Sequence, residues 1–203
     1  GFGGVIEGPA LADNVGWSAP QYFGTIRLAD FDGDGMDDFC ARSAADFRCY
    51  PSTGDGFADP ITIDALGDGN GWDDPSRYGT IRMGDINGDA RADLCARRAA
   101  GMRCWPSVPG GFGDPIDGPA WSDDAGFDQP WHWSTIRLTD IDGDGLSDLC
   151  ARTDEGVRCH LSTGDGFGDA IAGPAWTNAS GWADYDNYAA LFFADIDGDG
   201  DKD

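Results

Sequence analysis

Carboxylates at alternate positions are the residues of this chain best suited to chemistry. From Asp30 the sequence reads D-F-D-G-D-G-M-D-D, and related loops begin at Asp85, Asp140 and Asp195, each 55 residues after the last. With Asp30 as position one, acidic side chains stand at positions one, three, five and nine (Asp30, Asp32, Asp34, Asp38), and Gly35 at six. Alternate residues of a tight loop point inward together, so the first three carboxylates can converge on one ion. The backbone carbonyl of Met36 at position seven and the carboxylate of Asp38 would close the shell. Six or seven oxygens suit calcium, whose geometry is flexible; magnesium keeps more water and zinc takes His or Cys. The matching sets are Asp85, Asn87, Asp89, Arg91 and Asp93; Asp140, Asp142, Asp144, Leu146 and Asp148; and Asp195, Asp197, Asp199, Asp201 and Asp203. Calcium, one ion per loop and up to four in all, is the expected cofactor.

An EF-hand loop begins the same way but needs a Glu at position twelve and a helix on each side. Position twelve is Ala41, Ala96 or Ala151, and the flanks read as strands. The second loop departs from its siblings. Asn87 removes one charge, and Ala90 replaces glycine where a left-handed backbone costs a residue with a Cβ roughly 1 kcal/mol. The Asp85 loop is therefore expected to be the weakest complete site.

The elements that must position these loops follow from the repeat. The 203 residues divide into blocks 1–55, 56–110, 111–165 and a partial block 166–203, read as one repeat array. Gly-Phe opens each block, at Gly1/Phe2, Gly56/Phe57, Gly111/Phe112 and Gly166/Phe167, and Thr-Ile-Arg precedes three loops, at Thr25, Thr80 and Thr135. Alternating apolar runs and turn residues predict four strands per unit: Tyr22 to Ala29, Phe39 to Arg42, Phe47 to Pro51 and Phe57 to Ile63. No helical stripe is evident. The fold class is all-β, with each unit a four-stranded antiparallel sheet; units of this size are typical of β-propeller blades, a stacked solenoid being the alternative.

The loops and the motifs Gly-Phe-Gly and Gly-Pro-Ala (Phe2/Gly3 with Gly8 to Ala10, Phe112/Gly113 with Gly118 to Ala120, Phe167/Gly168 with Gly173 to Ala175) resemble the FG-GAP/VCBS repeat family, which includes integrin α-subunit propellers. The resemblance implies calcium between the first two strands of each blade, serving structure more than regulation. It also implies a larger ring, seven-bladed in the integrin type, of which this chain supplies fewer than four blades. The last block stops at position nine of its loop, before its second and third strands, so continuation in a longer chain is expected.

Cys40 and Cys49, Cys95 and Cys104, and Cys150 and Cys159 are each nine apart across a predicted hairpin. Cross-strand disulfides and an oxidising, secreted or extracellular setting follow, with buried reduced thiols as the competing reading. Nine arginines recur by block: Arg27/Arg82/Arg137, Arg42/Arg97/Arg152 and Arg48/Arg103/Arg158. A residue that recurs with the blade is expected to be structural, here through pairing with neighbouring carboxylates. Trp17, Trp72, Phe127 and Trp182 also recur and are assigned to packing between blades. Trp131, His132 and Trp133 have no such match (Gln21-Tyr22-Phe23 and Ser76-Arg77-Tyr78 elsewhere), which makes them candidate ligand-binding residues, with ordinary packing as the alternative.

The formal net charge of -24 argues against nucleic acid and anionic membranes as partners. No apolar run reaches the roughly 20 residues of a membrane span, and 40% hydrophobic content supports a packed core. Two histidines that do not recur, and no nucleophile motif, point to a non-enzyme. The expectation is a lectin- or adhesin-like recognition module binding glycan or extracellular protein. The alternatives are a structural, self-associating repeat of an extracellular assembly and a non-catalytic accessory region of a larger secreted enzyme.

Overall fold

The computed structural model describes residues 4–203, so the Gly1/Phe2 and Gly3 positions of the first motif lie outside the described residues. The first sheet comprises β1 (Arg27–Ala29), β2 (Asp38–Arg42), β3 (Phe47–Tyr50) and β4 (Ile61–Ile63), hydrogen-bonded antiparallel in chain order. The second is built from β5 (Arg82–Gly84), β6 (Asp93–Arg98), β7 (Gly101–Trp105) and, after the small hairpin of β8 (Ser107–Val108) and β9 (Gly111–Phe112), β10 (Ile116–Asp117). The third contains β11 (Arg137–Thr139), β12 (Asp148–Thr153), β13 (Gly156–Ser162) and β14 (Phe167–Ala172). These four-stranded meanders, repeated and packed on one another, are β-propeller blades.

Two strand boundaries differ from the sequence expectation. The run from Tyr22 does not start as a strand: Pro20–Phe23 is a one-turn helix, α1, and only Arg27–Ala29 pairs with β2. The same turn recurs as α2 (Pro75–Tyr78), α3 (Pro130–Trp133) and α4 (Tyr185–Tyr188). In the first three, proline at the first helical position presets φ where no N–H partner is needed. A single turn is too short to show a hydrophobic stripe. The fourth strand of the first blade is also shorter than expected, because Phe57 makes only an isolated bridge to Ser52 before β4 begins at Ile61.

Thr-Ile-Arg joins these parts. The Thr25 hydroxyl donates to the Tyr22 carbonyl at 2.7 Å and accepts from the Arg42 N–H at 2.9 Å, so one side chain ends the helical turn and ties it to β2. Thr80 and Thr135 repeat this with Arg97 and Arg152. Ile81 and Ile136 fill the core between blades, fully buried. Three apolar clusters form that core, and the first two join consecutive blades: Phe31, Phe47 and Leu66 with Ile81, Leu94 and Trp105, then Ile86 and Met102 with Ile136 and Leu149. Of the four recurring aromatics, Trp72 and Phe127 belong to these clusters, whereas Trp17 and Trp182 belong to none of the three and meet Tyr22 and Trp176 of their own connections.

Each cysteine pair lies in direct register, Cys40 opposite Cys49, Cys95 opposite Cys104 and Cys150 opposite Cys159, and each is closed as a disulfide. A bridge closing so short a loop contributes about 2–3 kcal/mol in the chain-entropy description.

Candidate functional site

Each acidic loop connects the first strand of its blade to the second, and its first carboxylate organises the turn. Asp30 Oδ1 accepts from the N–H groups of Gly33 and Asp34 at 2.7 and 3.1 Å, and Oδ2 from Gly35 at 2.9 Å. Asp85, Asp140 and Asp195 take the corresponding bonds from Gly88 and Ala90, Gly143 and Gly145, and Gly198 and Gly200. The turn needs a left-handed residue at position six, where Gly35 has φ 87°, Gly145 89° and Gly200 104°. Ala90 adopts φ 65° in the second loop, a non-glycine residue in that region.

In the first three loops the position-nine carboxylates are buried braces, whereas Asp203 in the fourth is exposed. Asp38 accepts from Phe31 at 2.9 Å and from Ser52, beyond the third strand, at 2.7 Å; Asp93 and Asp148 repeat both contacts with Ile86 and Ser107, and with Ile141 and Ser162. Burial raises the pKa of all three above the ordinary carboxylate value. For Asp93 it rises to about 6: burial outweighs the N–H bonds from Ser107 and Ile86, and Asp89 and Asp85 add like-charge repulsion.

Among the described residues, three loops bring three carboxylates within 4.8 Å of one another: Asp30, Asp32 and Asp38; Asp140, Asp142 and Asp148; Asp195, Asp197 and Asp199. Asp34, Asp144 and Asp203 stand outside these trios, and the Asp85 loop, with Asn87 at position three, forms none. The donors are all hard oxygens, crowded like charges that backbone N–H groups offset only in part. That chemistry fits a hard divalent cation.

Neighbouring loops are linked. Ala92 donates its N–H to the Asp30 carbonyl at 2.7 Å and Ser147 to the Asp85 carbonyl at 2.6 Å. Position-seven side chains reach the preceding loop: the Arg91 guanidinium donates to the Asp32 carbonyl, and Leu146 lies over Gly88.

A second feature recurs with the blade. Between each incoming connection and the hairpin of the central strands lies a pocket. It is lined by Trp17, Ser43 to Ala45 and Arg48 in the first blade, and by Trp72, Arg98 to Ala100 and Arg103 in the second. In the third it is lined by Phe127, Thr153 to Glu155 and Arg158. The cavities are about 280, 490 and 350 Å³ in that order.

Residues 140–203 match the FG-GAP-like repeat family, a segment that opens at position one of the third acidic loop. That segment carries an FG-GAP-like repeat. The repeats are similar to a lectin of Agrocybe aegerita, from a structure of the specific recognition of non-reducing terminal N-acetylglucosamine, with TM-score 0.72 and 25% identity over 87% of this chain and 44% of that one. They are also similar to part of the Photorhabdus luminescens Tc holotoxin pore, with TM-score 0.61 and 27% identity over 93% of this chain and 8% of that one. The chain thus spans less than half the length of either. No curated protein matches it.

The recurring arginines correct one expectation. Arg27, Arg82 and Arg137 do not pair with carboxylates; they donate across blades to the backbone carbonyls of Ile81, Ile136 and Leu191. Burial, with repulsion from Arg27 and Arg137, lowers Arg82 to about 9, which leaves it charged at neutral pH. Arg42 and Arg97 are fully buried and do form ion pairs, with Asp68 and Asp123. Asn178 occupies the corresponding place in the third repeat, and Arg152 turns to the carbonyls of Trp131, Thr153 and Trp176. Arg48, Arg103 and Arg158 pair with Asp46, Asp117 and Glu155 as expected.

Trp131, His132 and Trp133 all lie on α3. His132 is buried, donating through Nδ1 to the Gly126 carbonyl at 2.9 Å, and Trp133 packs over Gly79 of the preceding repeat. Trp131 is half-buried, its ring edge-on to His132. The pockets were missed in the sequence because their walls come from separate segments, although the aromatic residues and arginines that line them recur visibly.

Proposed function

We propose that this module recognises glycans through the pockets that recur once per blade, and that calcium in the acidic loops holds the blades in shape. The observation that carries the reading is a pocket that recurs with the blade, walled each time by an arginine (Arg48, Arg103, Arg158) and backed by a buried aromatic ring (Trp17, Trp72, Phe127). A guanidinium offers fixed donors for the hydroxyls of a sugar, and the buried rings give each pocket an apolar back. The likeness to a lectin that recognises N-acetylglucosamine supports the same class of ligand. Recurrence suits weak sites used together, since linked sites multiply affinity without new contacts.

Residues 30, 32, 34 and 38 and their counterparts would hold calcium, which neutralises converging carboxylates and fixes the strand-to-strand turn. No residue is assigned to catalysis. Three disulfides favour an oxidising, extracellular setting, and among the described residues no helix is long and apolar enough to cross a membrane. The likeness to part of a Tc holotoxin favours a second reading, in which the blades are a building block of a larger assembly.

Titration calorimetry with N-acetylglucosamine in calcium buffer, alongside a glycan array, separates the two. Saturable binding supports recognition; silence on both with ordered self-association in sedimentation supports the building block.

A further inference from the structure

The three pockets are not equivalent in charge. In the second blade, Arg77 and Arg98 stand where the first blade has Tyr22 and Ser43 and the third has His132 and Thr153, and Arg103 is the arginine common to all. Three guanidinium groups therefore line one cavity of a strongly acidic chain. Arg98 and Arg103 share a single carboxylate oxygen, Asp117 Oδ1, at 3.2 and 2.7 Å. Arg77 Nη1 bonds only to backbone carbonyls, those of Asn70 and Gly71 at 3.3 Å each. The Nε–H groups of Arg77 and Arg98 are buried without a hydrogen-bond partner. A buried donor without an acceptor is costly, more so on a charged group. In the third pocket Asp154 and Glu155 replace the small Ala99 and Ala100 of the second, so that site repels the ligand this one attracts.

The geometry points to an anion-selective subsite in the second blade, one that takes a saccharide bearing a sulfate ester or carboxylate. Ala65, Ala99 and Ala100 give the cavity its accessible apolar lining, with Trp72 and Trp105 buried behind them, and Arg77, Arg98 and Arg103 supply the donors for the charged group. This assignment rests on the glycan reading above and gives one of its pockets a ligand class.

The test compares four probes on the 203-residue protein in calcium buffer at low salt: N-acetylglucosamine, its 6-sulfate, glucuronic acid and inorganic sulfate. Binding is followed by calorimetry and by the indole N–H signals of the tryptophans. The 6-sulfate is expected to bind about tenfold more tightly than the neutral sugar, as charge-assisted bonds to a guanidinium allow. The preference should fade in 0.5 M salt and shift the Trp72 and Trp105 signals. The double variant Arg77→Tyr/Arg98→Ser installs the residues that the first blade already accommodates, and it should lose the preference for the sulfated sugar, while the first and third pockets, which it does not touch, keep their neutral-sugar binding. Glucuronic acid tells carboxylate from sulfate. Inorganic sulfate binding as tightly as the sugar sulfate would reduce the pocket to a simple anion site and overturn the saccharide assignment. Equal affinity for neutral and sulfated sugar, or a preference that survives in the double variant, overturns the anion subsite alone. If no sugar of either kind binds, the glycan reading falls and this assignment falls with it.

Discussion

Arg91 donates from its guanidinium to the backbone carbonyl of Asp32, joining position seven of the second acidic loop to position three of the first. A fixed positive charge therefore stands beside the first candidate metal loop. The third loop presents Leu146 to its neighbour instead. Replacing Arg91 by Leu is expected to tighten calcium binding at the Asp30 loop by a few-fold, because like charges near a surface repel by about 1 kcal/mol. Titration calorimetry at low ionic strength checks this; an unchanged affinity would mean that solvent screens the guanidinium completely.

Chelation should lower the melting temperature. A site held at about 100 times its dissociation constant contributes about 2.7 kcal/mol, which in a chain of this size is several degrees. Calorimetric melts with and without excess EGTA decide it, and superimposable melts would remove calcium from the account.

Ala90 sits in the left-handed region at φ 65° where the sibling loops have glycine. Ala90→Gly is expected to stabilise the protein by about 1 kcal/mol in urea unfolding. With Asn87→Asp added, the second loop should gain metal affinity relative to the native loop; if the double variant binds no better, loop geometry is not what weakens that site.

Arg97 is fully buried and paired with Asp123 at 2.7 Å. Asp123→Ala strips the buried guanidinium of a partner whose own side chain is 41% exposed and should cost about 1–3 kcal/mol. Asp123→Asn reproduces the third blade, where Asn178 stands at this place, and should cost clearly less. Chemical denaturation of both variants measures the difference; equal losses would show that the carboxylate charge itself is what matters.

His132 is held below the usual imidazole value of 6.5 chiefly by burial, with Arg152 also lowering it and the Gly126 carbonyl and Asp154 pulling the other way. The folded state thus favours the neutral ring. Its contribution is complete above the unfolded pKa and is lost as pH falls through the depressed folded value. Between pH 7 and pH 5 the native protein should lose stability more steeply than His132→Gln; parallel pH profiles of melting temperature would exclude His132 as a source of acid sensitivity.

The repeat, the acidic loops and the cysteine pairs were legible in the sequence because each depends on residues close together in the chain. Asp30 and Gly35 close one turn, and Cys40 faces Cys49 because a four-residue turn between them sets the register. The left-handed demand at Ala90 was legible for the same reason, since sibling loops within one chain reveal what the turn requires. The one-turn helices were not, because a four-residue helix has no periodicity to display.

What tertiary structure alone decided is which distant groups meet. Arg27 finds its acceptor on Ile81, in the next blade, and Arg91 finds Asp32 in the previous one. Neither partner is marked by residue type, because a backbone carbonyl is present at every position and only packing selects one. The same holds for the second-blade pocket. Arg77 comes from a helical turn, Arg98 from the end of a strand and Arg103 from the next strand, and their charges share one cavity only because the incoming connection folds back over the hairpin of its own blade. Local spacing determined the loops and bridges; stacking of the repeats determined the clamps between them, and the folding of each connection over its own hairpin determined the cavities.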